Sequence, residues 1–383
     1  MKVIALIVAA GRGQRTGLDL PKQYIEIAGK TVLRRSVEAF ARHPGIDEVC
    51  VVINAEDEER YQKALGELAV RPWVAGGAER QASVANGLES LTETPPNFVL
   101  IHDAARPFVT QALITDCLEA LHRAEAVLPA VRSTDTLKIC EGNVITGGID
   151  RDTVVAAQTP QCFAFAPILA AHRAFAGSGA TDDIALAEMA GLTVAMVAGD
   201  VENFKITTAA DIDKARRRIV GALTDVRSGQ GVDVHAFEAG RELWLAGIKI
   251  PHNKGLKGHS DADVALHALT DALLGALGAG DIGTHFPPSD SRWKGVASEI
   301  FLKHSASLIA AANGVISNID LTIICEAPKI SPYRQAMIAR IAEILGISEA
   351  RVSVKGTTTE KLGFTGRGEG IAAQAIATIR LPE

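Results

Sequence analysis

The sequence predicts two domains, a doubly wound α/β domain followed by an α+β domain. Apolar strand-like segments alternate with segments of helical periodicity over the first 223 residues, as in repeated βα units on a parallel sheet. The length of 383 residues suits two or three domains of about 150 residues each. Six of the ten histidines lie between residues 235 and 304, beyond a short polar segment at 224–231. We therefore expect domains at 1–224 and 225–383.

The elements of the first domain follow from local pattern. Lys2–Ala10 is a continuous apolar run, typical of a central parallel strand. Val32–Arg42 has apolar residues at helical spacing, and Thr31 is placed as its N-cap. Lys138–Ile149 breaks the βα rhythm and is expected to be an extended dimer arm. Further strands are expected at Val49–Ile53, Phe98–His102 and Val127–Val131, and further helices at Asp57–Leu68, Glu79–Leu91, Gln111–Arg123 and Asp211–Leu223.

The second domain mixes the two periodicities without the βα alternation. At about 155 residues it is large enough to be a domain of its own. Strands are expected near 229–236, 316–325, 352–357 and 371–380, and helices near 261–275, 296–312 and 333–345.

Composition and charge exclude several classes of function. No apolar run reaches the ~18–20 residues that span a bilayer, so we expect no membrane partner. The net charge is −6, and neither domain has the basic excess that nucleic-acid binding usually needs. The five cysteines form no C-x-x-C pair, which indicates reduced thiols in a cytoplasmic protein.

The first strand runs directly into a glycine-rich loop, Gly11 to Gly17. Its three glycines allow backbone amides to face an anion, and Arg12, Arg15 and Lys22 add positive charge nearby. The spacing fits neither the dinucleotide-binding fingerprint nor the Walker motif. The loop therefore predicts a different phosphate site, with a tight structural turn as the alternative.

Two further segments supply polar groups at strand or helix ends. Asp103 ends a buried strand, where a carboxylate is suited to Mg²⁺ beside a triphosphate, although it could instead cap a turn. Gly76-Gly77 opens a helix that carries Ser83, a turn suited to backbone contacts with a nucleobase.

Together these motifs make residues 1 to about 223 resemble the 2-C-methyl-D-erythritol 4-phosphate cytidylyltransferase family. The matching runs are A-A-G-x-G-x-R-x-G, P-K-Q-Y, G-G-x-x-R-x-x-S, H-D-A-A-R-P, T-P-Q, T-D-D and N-x-K-x-T. The resemblance implies a Rossmann-like nucleotidyltransferase domain that uses CTP with Mg²⁺ or Mn²⁺. The implied CTP-binding residues are Gly11, Arg15, Lys22, Gly77 and Ser83. The implied ligands of methylerythritol phosphate are Asp103, Arg106, Thr136, Arg151 (reaching across a dimer), Thr159, Thr181 and Lys205.

The implied reaction is attack of the substrate phosphate oxygen on the α-phosphorus of CTP, which releases diphosphate. Because a phosphate monoester needs no strong base, positioning and electrostatics should supply most of the rate. Arg15, Lys22, Arg151 and Lys205 are the implied catalytic residues. Gln14 and Ala78 stand where some relatives carry arginine and aspartate.

The second domain contains a candidate metal site. Asp233 and His235 project from the same face of a predicted strand, and His267 lies on a predicted helix with Ser260 as N-cap. Three nitrogen and oxygen ligands with an open fourth position are typical of catalytic zinc. Asp263 or Asp271, one helical turn away on either side, could orient the imidazole of His267. Capped turns and core histidines are the alternative for these residues.

Residues from about 227 to the end resemble the 2-C-methyl-D-erythritol 2,4-cyclodiphosphate synthase family, through D-V-H, G-H-S-D-A-D-V-x-x-H, G-D-I-G, E-A-P-K and K-G-T-T-T-E-K-L-G-F-T-G-R-x-E-G. The resemblance implies Zn²⁺ on Asp233, His235 and His267, and a second divalent ion on Glu360. The implied catalytic and substrate-binding residues are His259, Ser260, Asp281, Gly283, Lys329, Thr357 and Thr358. Phe364 and Arg367 would line a cavity on a trimer axis, and Pro288 stands where some relatives carry aspartate.

The implied second reaction is cyclisation of CDP-methylerythritol 2-phosphate with release of CMP. Such synthases form trimers with sites between subunits, so a trimeric half and a dimeric half would close as a hexamer. The resemblance also implies association with the ATP-dependent kinase that acts between the two steps. Two alternatives stay open. One is another sugar-phosphate nucleotidyltransferase fused to a zinc phosphohydrolase, and the other is an enzyme in which one half serves assembly or ligand sensing.

Overall fold

Two compact units make up the chain. The structure, a computed structural model, describes residues 1–12, 20–287, 289–293 and 295–383. Contacts divide it into a front unit, Met1–Arg216, and a rear unit, Arg217–Glu383. The division falls within the helix Ala209–Gly221, N-terminal to the expected boundary after residue 224. Among the described residues, no helix is long and apolar enough to cross a membrane.

Eight of the front unit's described strands form one mixed sheet. Its central strands β4, β1 and β6 are parallel, whereas β10 and β11 run antiparallel to their neighbours. The order is β10-β7-β11-β6-β1-β4-β5, with β12 also paired to β7. The strands are β1 (Val3–Ala9), β2 (Glu26–Ile27), β3 (Lys30–Thr31), β4 (Glu48–Ile53), β5 (Val74–Ala75), β6 (Phe98–Asp103), β7 (Ala126–Arg132), β8 (Leu137–Glu141), β9 (Val144–Ile149), β10 (Val155–Ala157), β11 (Gln161–Ala164) and β12 (Val194–Ala198).

Helices cover both faces of this sheet, as expected for a doubly wound fold. Alternate residues of β1 point into two separate cores: Ala5 and Ile7 into one, Ile4 and Leu6 into the other. The first core packs against α1, α2 and α4, and the second against α3, α5 and α6. The helices are α1 (Val32–Ala41), α2 (Glu58–Leu65), α3 (Arg80–Glu89), α4 (Gln111–Leu121), α5 (Phe165–Ala174), α6 (Asp183–Met189) and α7 (Ala209–Gly221).

The rear unit packs helices on one mixed sheet of order β16-β13-β19-β17-β18. β13 runs close to α8, since a Cβ on Gly229 or Gly231 would lie 2.2 or 2.0 Å from a helix carbonyl oxygen. The strands are β13 (Asp225–Ala239), β14 (Leu243–Leu245), β15 (Ile248–Ile250), β16 (Lys254–Leu256), β17 (Val315–Ile324), β18 (Val352–Thr357) and β19 (Gly370–Leu381). The helices are α8 (Val264–Leu277), α9 (Ile282–His285), α10 (Glu299–Ala311), α11 (Arg334–Leu345) and α12 (Gly363–Gly366).

Two expectations differ from the structure, and a third agrees with it. The polar segment at 224–231 is not a free linker, because Asp225 onward already pairs with Leu381 in β13. The strands β10, β11 and β14–β16 did not stand out as strand patterns, since they are only three or four residues long. Lys138–Ile149 is extended as expected, and forms the separate hairpin β8–β9.

Candidate active sites

The front cavity lies at the carboxyl ends of β1 and β6 and has a volume of about 490 Å³. This edge of a parallel sheet is where open α/β folds bind ligands. Its predicted residues within the described chain are Gly11, Lys22, Gly77, Ser83, Asp103 and Lys205. Arg15 and Gln14 lie outside the described residues. Other predicted residues lie outside the lining: Arg106, Thr136, Arg151, Thr159 and Thr181.

A chain of alternating charges leads from this cavity into the protein interior. Lys205 Nζ is 2.8 Å from Asp103 Oδ2, and Arg80 Nε donates to Asp103 Oδ1 at 3.2 Å. Arg80 Nη1 is also 2.8 Å from Asp183 Oδ2, whose other oxygen lies 3.2 Å from His172 Nε2. The side chains of Asp183 and His172 are only 1% exposed, so the chain ends in the core.

The ion pairs determine the charge state of Asp103. Burial alone would raise the pKa of its carboxyl, but Arg80 and Lys205 outweigh burial and hold the pKa well below its usual range. Asp103 is therefore ionised at neutral pH. Both of its oxygens already face cations, so a metal ion bound to this carboxylate would be a third positive charge beside it.

The turn expected to contact a nucleobase is tightly constrained. Gly77 N donates to Ser83 Oγ at 3.1 Å, and Ser83 Oγ donates to Glu79 O at 2.9 Å. A Cβ on Gly76 would lie 2.3 Å from Ala10 Cβ, so this glycine lets the turn approach the end of β1. The hydroxyl of the buried Ser83 thus shapes the turn, and Gly77, Ala78 and Glu79 of the turn line the cavity.

Hydrogen bonds from Gln23 hold the start of the glycine-rich loop in place. Gln23 Nε2 donates to Ala9 O at 2.7 Å and to Gly11 O at 2.9 Å. Lys22 Nζ donates to Ile206 O at 2.8 Å, and Lys22 and Lys205 both line the cavity. Arg12 forms an exposed ion pair with Glu56.

Several residues predicted to bind substrate have other contacts. Thr159 is buried, accepts from Asp103 N at 3.2 Å and lies 3.0 Å from His102 Nδ1. Arg106 donates to Asn203 O at 2.7 Å, and the exposed Arg151 donates to Thr134 O at 3.0 Å. Thr159 and Arg106 thus brace the strand ends around the cavity. Thr136 and Thr181 are exposed.

In the rear unit, three side chains meet between β13 and α8. Asp233 Oδ2 is 3.0 Å from both His235 Nε2 and His267 Nδ1, and the two nitrogens are 3.2 Å apart. Three ligands placed about 2.0–2.1 Å from a tetrahedral metal would lie roughly 3.3 Å from one another. The donor set and its spacing therefore fit one divalent metal ion.

The second nitrogen of each imidazole faces a hydrogen-bond partner. His235 Nδ1 lies 2.6 Å from Lys257 O, an acceptor that requires the proton on Nδ1 and leaves the Nε2 lone pair for a metal. His267 Nε2 lies between the hydroxyls of Ser260 and Ser298, at 3.1 and 2.9 Å. The pKa of Asp233 is below its usual range, because the two histidines outweigh its burial.

The expected orienting carboxylates of His267 have other functions. Asp263 is completely buried and caps α8, accepting from Ala265 N and Leu266 N, so Ser260 is not the N-cap. Asp271 Oδ1 instead accepts from Ile282 N at 2.7 Å. The prediction that Asp263 or Asp271 orients His267 is therefore wrong.

A cavity of about 430 Å³ adjoins the triad, with the aromatic rings of Phe286, Trp293 and Phe301 on one side. The predicted residues His235, His259, Ser260, His267 and Gly283 line it. Asp281 caps α9 through Thr284 N at 2.8 Å and is just outside the lining. Pro288 lies outside the described residues.

The remaining predicted residues of the rear unit lie away from that cavity's lining. Thr358 Oγ1 donates to Glu360 Oε1 at 2.9 Å, and Arg367 pairs with Glu369. The predicted residues in this region are Lys329, Thr357, Thr358, Glu360, Phe364 and Arg367. Within one chain, the structure does not bring them to the triad.

The sequence reasoning gave no role to three side chains that organise the sites. Arg80 and Asp183 stand within matched motifs, but nothing in the sequence indicates that the two side chains pair, because they are 103 residues apart. Ser298 had no sequence signal, because it lies 31 residues after His267.

The fold and cavities define a two-domain enzyme of phosphate chemistry, with a nucleotidyltransferase-type front unit and a metal-binding rear unit. The 2-C-methyl-D-erythritol 4-phosphate cytidylyltransferase family matches residues 3–220, and the YgbB family matches residues 226–380. The chain belongs to the bifunctional IspD/IspF family. Its units are thus a cytidylyltransferase and a cyclodiphosphate synthase of the methylerythritol phosphate pathway, which confirms the predicted fold and enzyme classes.

Full-length relatives support this assignment. The bifunctional enzyme IspD/IspF of Rhodospirillum rubrum is 56% identical over 382 residues, and that of Paramagnetospirillum magneticum is 54% identical over 382 residues. Each alignment covers 100% of this chain and 99% of the relative. The structure of 4-diphosphocytidyl-2C-methyl-D-erythritolsynthase from Anaerococcus prevotii is 33% identical and has a TM-score of 0.51, covering 57% of this chain and 96% of that one.

Proposed function

We propose that Asp233, His235 and His267 bind Zn²⁺, and that the adjoining cavity holds CDP-methylerythritol 2-phosphate. The observation that carries the proposal is the triangle of donor atoms with edges of 3.0–3.2 Å. Two nitrogens and one oxygen with an open position suit catalytic zinc, whereas Mg²⁺ prefers oxygen ligands. When bound, Zn²⁺ would neutralise charge on phosphate oxygens.

In the rear reaction, an oxygen of the 2-phosphate attacks the β-phosphorus, and the bond to the CMP phosphate breaks. The products are the eight-membered cyclic diphosphate and CMP. We assign His259, at the cavity mouth, to phosphate positioning, and Asp281 and Gly283 to the ribose. The aromatic wall excludes water, which favours ring closure over hydrolysis.

The front cavity is proposed to bind CTP beside 2-C-methyl-D-erythritol 4-phosphate. Lys22 and Lys205 both line this cavity, Lys22 on the carbonyl of Ile206 and Lys205 beside Asp103. With Arg15 they would stabilise charge on the α-phosphoryl group while the substrate phosphate displaces diphosphate. Gly77 and Ser83 form the base-binding turn, and Mg²⁺ or Mn²⁺ would accompany the nucleotide phosphates.

Two exposed apolar surfaces support a proposed homo-oligomer. One face of the rear sheet exposes Val226, Val232, Val234 and Ile376, and the front hairpin exposes Ile139, Val144, Ile145 and Ile149. Such patches are typical of interfaces. We propose trimeric contacts through the sheet and dimeric contacts through the hairpin, closing as a hexamer.

A trimer would also account for the second group of predicted residues. Lys329, Thr357, Thr358 and Glu360 (the proposed ligand of a second divalent ion) would complete the cavity of a neighbouring subunit, and Phe364 and Arg367 would line its axis. We further propose that the enzyme acts in the cytoplasm and associates with the kinase of the methylerythritol phosphate pathway.

The test removes the metal from the assembled enzyme. We expect chelation to abolish CMP release from CDP-methylerythritol 2-phosphate, and Zn²⁺ to restore it. His267→Ala should likewise lose CMP release, while diphosphate release from CTP and methylerythritol phosphate continues. A metal-depleted protein with full CMP release would contradict the zinc assignment. Equal diphosphate release with all four nucleoside triphosphates would contradict the assignment of CTP.

A further inference from the structure

Ser298 has an unusual position for a helix-capping serine. It is the N-cap residue of α10, yet its side chain accepts no hydrogen bond from the helix. N-cap serines usually make such a bond. Ser298 is completely buried, so its hydroxyl must have another partner inside the protein.

The hydroxyl of Ser298 lies between a carboxylate and a metal-site imidazole. It donates to Asp261 Oδ1, and the backbone N–H of Ser298 donates to Asp261 Oδ2 at 3.1 Å. Its oxygen is 2.9 Å from His267 Nε2. Because Asp261 takes the only hydroxyl proton of Ser298, the oxygen can act toward His267 only as an acceptor.

We propose that Ser298, held by Asp261, is a positioning residue that keeps the proton of His267 on Nε2 and its Nδ1 lone pair toward Asp233 and His235. This inference rests on the proposed metal function of the triad. With the proton on Nδ1 instead, the ring would donate to Asp233 Oδ2, 3.0 Å away, and offer no lone pair to a metal.

Ser260 is a second, slightly longer partner of the same nitrogen, since its oxygen lies 3.1 Å from His267 Nε2. Its oxygen accepts from Ala262 N at 3.1 Å and lies 3.2 Å from Ser298 Oγ. The Ser260 hydroxyl can therefore donate to Ser298, whose two lone pairs then accept from Ser260 and His267. Outer partners of this kind set the tautomer and orientation of metal-binding histidines.

The test measures Zn²⁺ affinity of the full chain by competition with a chromophoric chelator. Ser298→Ala and Asp261→Asn should each weaken binding by about 10- to 100-fold, and Ser298→Thr, which keeps the hydroxyl, should restore most of it. Ser305→Ala is the matched control, because Ser305 is also buried on α10 but donates to Leu302 O at 2.8 Å. Co²⁺ affinity and its visible spectrum give a second readout.

The outcomes separate this inference from the zinc proposal. Wild-type protein that binds no Zn²⁺ contradicts the zinc proposal itself. Wild-type affinity in Ser298→Ala and in Asp261→Asn contradicts the positioning role while the zinc proposal stands. The positioning role would also be contradicted if Ser298→Ala lost Zn²⁺ affinity together with an equal loss of stability without metal, while Asp261→Asn lost no affinity. The effect of Ser298→Ala would then be structural.

Discussion

The two sites differ in the charges of the side chains that line them. Among the described residues that line the front cavity, four are basic (Arg12, Lys22, Arg80 and Lys205) and two are acidic (Glu79 and Asp103). The described lining of the rear cavity contains no lysine or arginine, and the nearby Asp233 faces two imidazoles. An excess of fixed cations suits an anionic nucleotide, whereas a carboxylate among nitrogen donors suits a metal cation.

The comparison shows which groups supply the positive charge at each site. In the front unit the charge comes from its own side chains, and Arg80 is held on both sides by Asp103 and Asp183. The rear unit provides donor atoms and neutral hydrogen-bond partners, and the positive charge would come from the bound ion. The front site should therefore be sensitive to loss of a charged side chain, and the rear site to loss of geometry.

Arg80→Met tests the front half of this comparison and should have the largest effect on stability. It leaves the carboxylate of Asp183, only 1% exposed, without its cation, and breaking a buried pair costs about 3–5 kcal/mol. Diphosphate release should fall sharply and CMP release should persist. Peptide-resolved hydrogen exchange would locate the loss in the front unit.

Arg173→Met is the matched control for Arg80→Met. Arg173 pairs with Glu89 at 2.7 Å, but its side chain is 58% exposed, and exposed pairs contribute little to stability. Equal exchange protection in the two variants would show that the buried charge chain does not stabilise the front unit.

How far the sequence predicts these sites depends on distance along the chain. Asp233 and His235 share a face by strand alternation, so their pairing was predictable. The sequence also placed His267 on a predicted helix, so that a single contact between this helix and the strand brings it to Asp233 and His235. The role of Asp263 was not predictable, because a carboxylate four residues before a histidine in a helical pattern can lie along the helix or cap its first turn. Only the packing against Ala246 N and Gly247 N decides for the cap.

Contacts that depend on the fold of distant segments escape sequence reasoning. Ser298 reaches His267 only because α10 begins beside α8, and Asp183 reaches Arg80 only because α3 and α6 both pack against α5. The overall fold was more accessible, since β1, β4 and β6 have strong apolar runs. The edge strand β10 and the interior strand β11 are too short to give a pattern, and their antiparallel direction follows from tertiary packing.

A pH titration gives a smaller and more local test of the front unit. The buried His102 contacts Arg106 O and Thr159 Oγ1, and burial lowers its pKa to about 4. Between pH 6.5 and 4 the unfolded chain therefore binds a proton that the folded chain does not. Stability should be complete above pH 6.5 and fall by up to about 3 kcal/mol toward pH 4.

Urea unfolding at a series of pH values measures this effect. His102→Gln should remove most of the pH dependence in that window, and His122→Gln, at an exposed histidine, should leave it in place. A slope that persists in His102→Gln would assign the dependence to other groups.

The rear half of the comparison depends on how closely β13 approaches α8, and Gly231→Ala tests it. A Cβ there would lie 2.0 Å from Ala268 O, so the strand must shift, at a cost of about 1–3 kcal/mol. Because β13 holds Asp233 and His235 while α8 holds His267, the shift should widen the donor triangle and weaken Zn²⁺ binding. Gly275→Ala is the control, since its nearest neighbour would be 3.9 Å away and alanine favours a helix. Unchanged Zn²⁺ affinity in Gly231→Ala would mean that the donor triangle tolerates movement of the strand. Metal binding at the rear site would then not depend on the exact spacing of β13 and α8.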